Sequence, residues 1–251
     1  MTRRNDVETS SRSFADLTTL RVGGAPAHTL CCRSADAVAE VVRSLDEAGV
    51  PLLVVGGGSN LVVGEDVAGL VAVVLESEED AADVAMDAAS GVVRAFAGVV
   101  WDDLVAATVD AGLGGLECLS GIPGSVGATP VQNVGAYGAE VSQTLHRVQL
   151  FDRSTGETSW VSPESLELGY RYSNLKFTSR AVVTAVEFAL STDGLSAPLR
   201  FGELARRLGV TAQDGTSRRP AAEVRDMVLE LRRGKGMVLD AADHDTWSAG
   251  S

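Results

Sequence analysis

Hydrophobic and polar positions along this chain fall into short blocks whose period switches between that of a helix and that of a strand. Val38, Val41, Val42 and Leu45 recur at helical spacing behind Ser34, a good N-cap, and Gly49 follows as a stop, which predicts a helix through Ala48. Pro51–Val55 and Gly69–Leu75 are unbroken apolar runs of strand length, Val92–Gly98 alternates like a strand, and Trp101–Gly112 reads as a helix ended by glycine. His146–Asp152 and Thr158–Val161 flank a Ser154-Thr155-Gly156 turn as a hairpin, Ser162-Pro163 opens a short helix through Leu166, and Ala181–Leu190 is a further strand. Weaker patterns predict a short β segment closed by a glycine turn at Thr18–Gly24, β structure at Val62-Val63, and a surface connection over the acidic, alanine-rich Glu76–Ser90.

The two ends read differently. Residues 1–16 are polar and are expected to form a flexible N-terminus, with residues 17–190 as the first domain. Composition shifts at Ser191–Pro198, and residues 198–251 carry a helix turn or two at Phe201–Leu208 and one convincing helix after Pro220. Its stripe of Val224, Met227, Val228 and Leu231 needs a partner surface. One helix without a sheet is too little for a self-sufficient unit, so this second domain is expected to be partial and the chain truncated.

Charge and cysteine content narrow the function classes. A formal net charge of −13 opposes nucleic acid or an anionic membrane surface as a partner, and no apolar run approaches a membrane span. Lys176 and Lys235 are the only lysines, so an anionic ligand would need a local pocket. Cys31, Cys32 and Cys118 form no C-x-x-C pair and no even disulfide framework, which fits a reducing cytoplasm. His244 between Asp243 and Asp245 is too local a cluster to converge on a metal, and no metal site is expected.

Two glycine-rich stretches carry the candidate chemistry. Leu119–Glu140 contains Ser120-Gly121-Ile122-Pro123-Gly124-Ser125-Val126-Gly127 and Pro130-Val131-Gln132-Asn133-Val134-Gly135-Ala136-Tyr137-Gly138, too rich in Gly and Pro for helix or strand and too apolar for a solvated loop. Bare backbone N–H groups in such a loop can approach a large polar ligand. Gly56-Gly57-Gly58-Ser59-Asn60-Leu61 ends a strand and can form a nest for an anion. It lacks the lysine of a Walker loop and the spacing of a Rossmann fingerprint, and a hairpin turn explains it equally well.

Taken with Gly169-Tyr170-Arg171 and Ser248-Ala249-Gly250-Ser251, these motifs resemble the UDP-N-acetylenolpyruvoylglucosamine reductases, or UDP-N-acetylmuramate dehydrogenases, from Thr18 onward. The resemblance implies an α+β fold. Its first part would be a two-subdomain FAD-binding domain of the vanillyl-alcohol oxidase and p-cresol methylhydroxylase type, followed by an incomplete α+β substrate domain. It also implies a cytoplasmic monomer, working in peptidoglycan precursor synthesis. The cofactor is FAD, with NADPH as co-substrate and UDP-N-acetylglucosamine enolpyruvate as the substrate. FAD contacts are implied for Gly56, Gly57, Gly58, Ser59, Asn60, Leu61, Ile122, Pro123, Gly124, Ser125, Gly127, Ala128, Gln132, Asn133, Gly135, Ala136 and Tyr137. No histidine lies in either loop, so the flavin is expected to be held non-covalently.

In the implied reaction NADPH reduces FAD, and hydride then passes to the enolpyruvyl double bond. Arg171 matches the arginine that meets the growing enolate charge, and Ser251 the serine that protonates carbon; Tyr170 and Lys235 match substrate contacts, Lys235 at the diphosphate. Two departures stand out. The family's C-terminal glutamate has no counterpart here, and Phe201 stands where many relatives have tyrosine. A catalytically silent FAD-binding fragment is the alternative reading, and a different oxidase of the same flavin fold is a third.

Overall fold

The computed structural model describes residues 6–78, 83–200, 202–210, 216–240, 242–243 and 246. Ser251, Phe201 and His244 lie outside the described residues. In chain order the elements are β1 (Val7–Ser10), α1 (Phe14–Leu17), β2 (His28–Cys32), α2 (Ala35–Glu47), β3 (Leu52–Val55), β4 (Val71–Leu75), β5 (Val84–Asp87), β6 (Val92–Phe96) and α3 (Trp101–Asp110). The two-residue strands β7 (Gly135–Ala136) and β8 (Ala139–Glu140) follow, then β9 (Leu145–Asp152), β10 (Glu157–Val161), β11 (Ala181–Ala189), α4 (Glu203–Arg207) and α5 (Ala221–Arg233).

Two sheets carry the architecture. The first has order β1-β2-β4-β3, with β2, β3 and β4 parallel and β1 antiparallel at its edge. The second, β10-β9-β11-β6-β5, is antiparallel throughout. Strands β3 and β4 are the apolar runs expected of a parallel sheet covered on both faces, and all of β4 is buried.

Helix α2 joins the two sheets. Ser34 caps it as expected, accepting from Ala37 N–H, and Ala37, Val38, Ala39 and Val42 are buried. Its polar face then reaches the second sheet. Arg153 beyond β9 makes a two-pronged ion pair with Asp46 at 2.5 and 2.9 Å, and Arg43 donates to Gly156 O at 2.8 Å with its guanidinium over the Phe151 ring. Helix α3 packs on the same sheet from elsewhere through Trp101, which is fully buried, 5.9 Å from Phe188 and donating from Nε1 to Leu119 O at 3.0 Å.

Four local expectations change. The polar start of the chain, expected to be flexible, holds strand β1 and helix α1; Ser13 and Asp16 form a capping box, and Phe14 is fully buried beneath the first sheet. Thr18–Gly24 and Val62-Val63 form no strands. Their backbone groups pair loop to loop instead, with Phe14 N–H donating to Gly24 O and Gly24 N–H to Gly64 O, and Val62 stands 77% exposed. The acidic connection contains β5, an edge strand of the second sheet, which exposes the small Ala85 and the charged Asp87.

The fourth concerns the C-terminal helix. The stripe of α5 is not open: Val224 and Val228 are fully buried in the main core, and Leu231 is nearly so. The chain supplies the partner itself, in the turn Glu117–Leu119 and in α3. Arg225 clamps the contact by donating from Nη1 and Nη2 to the two oxygens of Asp102 at 2.6 and 3.0 Å. Buried Glu117 adds a second tie, accepting from Gly115 N–H and Ala197 N–H at 2.6 Å each. Among the described residues, no helix is long and apolar enough to cross a membrane, and no group of three His, Cys, Asp or Glu is placed to hold a metal.

Candidate functional site

The triple glycine leaves strand β3 and passes directly beneath the central loop. A Cβ on Gly57 would lie 2.6 Å from Gly124 Cα, so the two loops touch backbone to backbone. Gly58, with φ +61°, has Leu17 O where a side chain would start, at 1.7 Å. These glycines therefore serve loop packing. Among the described residues nothing accepts from the N–H groups of Gly57, Gly58, Ser59 and Asn60, nor from those of Ile122, Gly124 and Ser125 across the seam. A row of unspent backbone donors is the chemistry of an anion nest.

Side chains stitch the seam. Ser59 Oγ donates to Pro123 O at 3.4 Å and Asn60 Nδ2 to Gln132 Oε1 at 3.0 Å, while Gly56 lies against the Ser125 hydroxyl. Leu61 turns away from the seam and packs with Phe14 and Val55, so only its backbone faces the site. Ile122, Pro123 and Gly124 are half-buried, Ala128 is exposed, and Ala136 and Tyr137 are half-buried at the loop's far end. Gly127 is locked underneath, its N–H donating to Ala97 O at 2.9 Å.

The third stretch, Gly169–Lys176, is brought to the same loop. Gly169 and Tyr172 exchange backbone hydrogen bonds at 3.0 and 3.1 Å, which puts Tyr170 and Arg171 at the tip of a tight turn. Arg171 Nη2 donates to Gly135 O at 2.6 Å, its guanidinium lies over the Tyr170 ring, and Lys176 Nζ donates to Arg171 O at 2.9 Å. Asn133, Tyr137 and Arg171 all have positive φ, at 45°, 52° and 54°. Each such residue costs on the order of 1–2 kcal/mol relative to ordinary backbone, and three gathered in one place mark a site held in shape by its surroundings.

Lys235 arrives from beyond α5. Its Nζ donates to Glu203 Oε2 at 2.6 Å, a bond that raises the ammonium pKa, and its charge reaches the Tyr137 phenol. Burial pushes that phenol's pKa up despite the nearby Lys235 and Arg232 cations. Arg232 was passed over in the sequence. It is only 3% exposed, donates from Nη2 to Met237 O at 3.0 Å, and leaves Nε without a partner, beside Gly121 at the start of the central loop. Burial draws its pKa down. The missed signal is spacing: Arg232 follows Val228 by four and Val224 by eight, so it sits inside the apolar stripe rather than at a solvated helix end.

The central loop thus meets the other two predicted stretches, Gly56–Asn60 through Gly57, Ser59 and Asn60 and the Arg171 turn through Gly135, and it has Arg232 beside Gly121 and the charge of Lys235 near Tyr137. Ser251 lies outside the described residues.

Known proteins resemble this chain in sequence and in fold. A family profile described as "FAD binding domain" matches residues 26–162, from β2 through β10. The chain is 68% identical over 261 aligned residues to a UDP-N-acetylenolpyruvoylglucosamine reductase of Corynebacterium jeikeium, covering 96% of this chain and 60% of that protein. It is 53% identical to the protein of the same description from Mycobacterium ulcerans, covering 95% and 65%. The crystal structure of UDP-N-acetylenolpyruvylglucosamine reductase (MurB) from Thermus caldophilus superposes with a TM-score of 0.63 at 27% identity, over 92% of this chain and 70% of that one. The chain therefore spans less than two thirds of the length of these curated relatives. It belongs to the FAD binding domain family, with the α+β fold of that family and with UDP-N-acetylenolpyruvoylglucosamine reductases as its relatives.

Proposed function

We propose that this chain binds FAD non-covalently along the seam between Gly56–Leu61 and Ile122–Tyr137, and serves in NADPH-dependent reduction of UDP-N-acetylglucosamine enolpyruvate to UDP-N-acetylmuramate. The observation that carries the reading is the set of unspent N–H groups on both sides of one glycine-lined seam, whose longer loop also holds the Arg171 turn. The fit is chemical as well as spatial: a dinucleotide diphosphate needs clustered donors, and these loops offer them without a lysine. FAD, when bound, supplies hydride transfer. Net, NADPH is oxidised to NADP+ while hydride and a proton add across the substrate's carbon–carbon double bond.

The chain's own groups do the rest. Arg171, tied on one side to Gly135 O, presents a fixed positive charge to the substrate carboxylate, where negative charge grows as hydride arrives. Lys235 and Tyr170 are assigned to the substrate and Ser251 to the proton transfer, by their match to the family motifs. Arg232 is assigned to an acceptor on the ligand, because its Nε is buried and unpartnered. A cytoplasmic monomer completes the reading.

The purified chain should be yellow or take up added FAD, release it intact on acid precipitation, and oxidise NADPH only when the enolpyruvyl substrate is present. Arg171→Ala should keep the flavin and slow its reoxidation by substrate ~100–1000-fold, the loss typical for one fixed transition-state donor. A colourless chain, or reoxidation of the variant at the unmutated rate, sinks the assignment. A second reading is a chain that binds flavin without turning over, whose signature is yellow colour without substrate-dependent NADPH oxidation.

A further inference from the structure

We propose that Asn133 is the positioning residue for Arg171, acting through the carbonyl of Gly169; the inference rests on the role of Arg171 given above. Asn133 is 1% exposed, and both its side-chain donors and its carbonyl oxygen are engaged inside the protein. Nδ2 donates both to Glu140 Oε2 and to Gly169 O at 2.9 Å, and Oδ1 accepts from Ser142 N–H at 3.1 Å. Its amide nitrogen therefore has no N–H left for a cofactor, and the FAD contact implied for Asn133 by the resemblance is not assigned to its side chain.

The Gly169 carbonyl is the hinge of the argument. It also accepts from Tyr172 N–H, the bond that closes the turn bearing Tyr170 and Arg171. Arg171 occupies the third position of that turn at φ +54°, backbone that favours glycine, so the turn needs outside restraint to hold an arginine there. The central loop provides it three times, through Asn133 to Gly169 O, Gly135 O to the Arg171 guanidinium, and Val131 O to the Ser173 hydroxyl. Of these, only the first involves a side chain that belongs to the loop.

The chemistry at position 133 is selective. Two donors and one acceptor in that order require a carboxamide, since a carboxylate would face both the Glu140 carboxylate and a carbonyl oxygen. A longer side chain would not fit a site that is 1% exposed. Asn is also one of the few non-glycine residues at ease at φ +45°.

The test pairs Asn133→Asp with Asn133→Gly, the latter compatible with positive φ and therefore able to fold while losing all three bonds. Hydrogen exchange of the 169–176 segment should rise tenfold or more in both variants, with the sheets unchanged. Rapid mixing should show flavin reduction by NADPH within twofold of the unmutated chain and reoxidation by substrate slowed at least tenfold. In the Arg171→Ala background, Asn133→Gly should add nothing to that slowing, because the two residues act as one. Unchanged exchange in both variants, or a fully additive loss in the double variant, overturns the proposal. If the chain binds FAD but the substrate never reoxidises it, the reductase reading fails instead, and the exchange measurement alone still decides whether Asn133 holds the turn.

Discussion

The two glycine loops look alike in the sequence and behave differently in the fold. Gly56–Leu61 is short, ends a parallel strand, and keeps most of its N–H groups free. Gly121–Tyr137 is long and spends many of its backbone groups on the protein: Gly121 N–H goes to Asp102 at 2.6 Å, Val126 to Val99 O, Gly127 to Ala97 O and Val134 to Thr129 O. Val126 and Val134 are buried in it. The short loop fits beneath its neighbour through its glycines and spends few of its donors, while the long loop keeps those of Ile122, Gly124 and Ser125 and spends others on fixing itself and carrying the Arg171 turn. Glycine content alone does not separate a ligand loop from a structural one; the fate of the N–H groups does.

The harshest challenge to that distinction is Gly58→Ala. The new methyl would start 1.7 Å from Leu17 O at a φ of +61°, so α1 or the loop must move. Strain and overpacking together predict a loss of about 3 kcal/mol or more, read by denaturant unfolding, and a loss of FAD uptake with it. If stability were kept and only flavin affinity fell, the glycine would be serving the ligand directly, and the packing account of the short loop would be wrong.

Asp102 tests the long loop. Burial pushes its carboxyl upward, but hydrogen bonds from Arg225 and Gly121 N–H outweigh it and hold the pKa below the ordinary carboxylate value. The clamp's contribution is therefore complete above the unfolded pKa, near ~4, and is lost as the pH falls through the lower folded value. Asp102→Asn should cost about 1.5–3 kcal/mol at neutral pH, the range for hydrogen bonds to a charged group, and should flatten the acid limb of the stability curve. An acid limb identical in both proteins would show that the long loop owes nothing to this carboxylate. The short loop contains no titratable side chain, so its own contacts should not respond to pH in this window.

Much of this was legible beforehand, and the failures share a cause. The capped helix after Ser34 and the 146–161 hairpin follow from local patterns, and the meeting of the two glycine loops with Tyr170-Arg171 from the family resemblance. Strand β1 did not, because an edge strand of four residues, Val7-Glu8-Thr9-Ser10, shows little apolar alternation to read. The partner of the α5 stripe was hidden because its cover, Glu117–Leu119, is a turn more than a hundred residues earlier, and periodicity reports a face without saying what meets it. The internal role of Asn133 and the burial of Arg232 were hidden for the same reason: each is defined by groups distant in the chain, Gly169 for one and Gly121 for the other.

The smallest effect should come from the stitch across the seam. Asn60 Nδ2 and Gln132 Oε1 meet at 3.0 Å on the exposed rim, where water competes for both groups. Asn60→Ala should therefore change global stability by less than ~0.5 kcal/mol, as exposed substitutions usually do. Flavin affinity should respond more, weakening severalfold, because the two loops must keep a fixed spacing for one ligand to engage donors on both. Fluorescence titration with FAD beside thermal unfolding separates the two quantities. Equal affinities would mean that the Gly57–Gly124 backbone contact sets the spacing unaided and that the stitch is incidental; a large stability loss would instead move the short loop into the structural class, beside its longer neighbour.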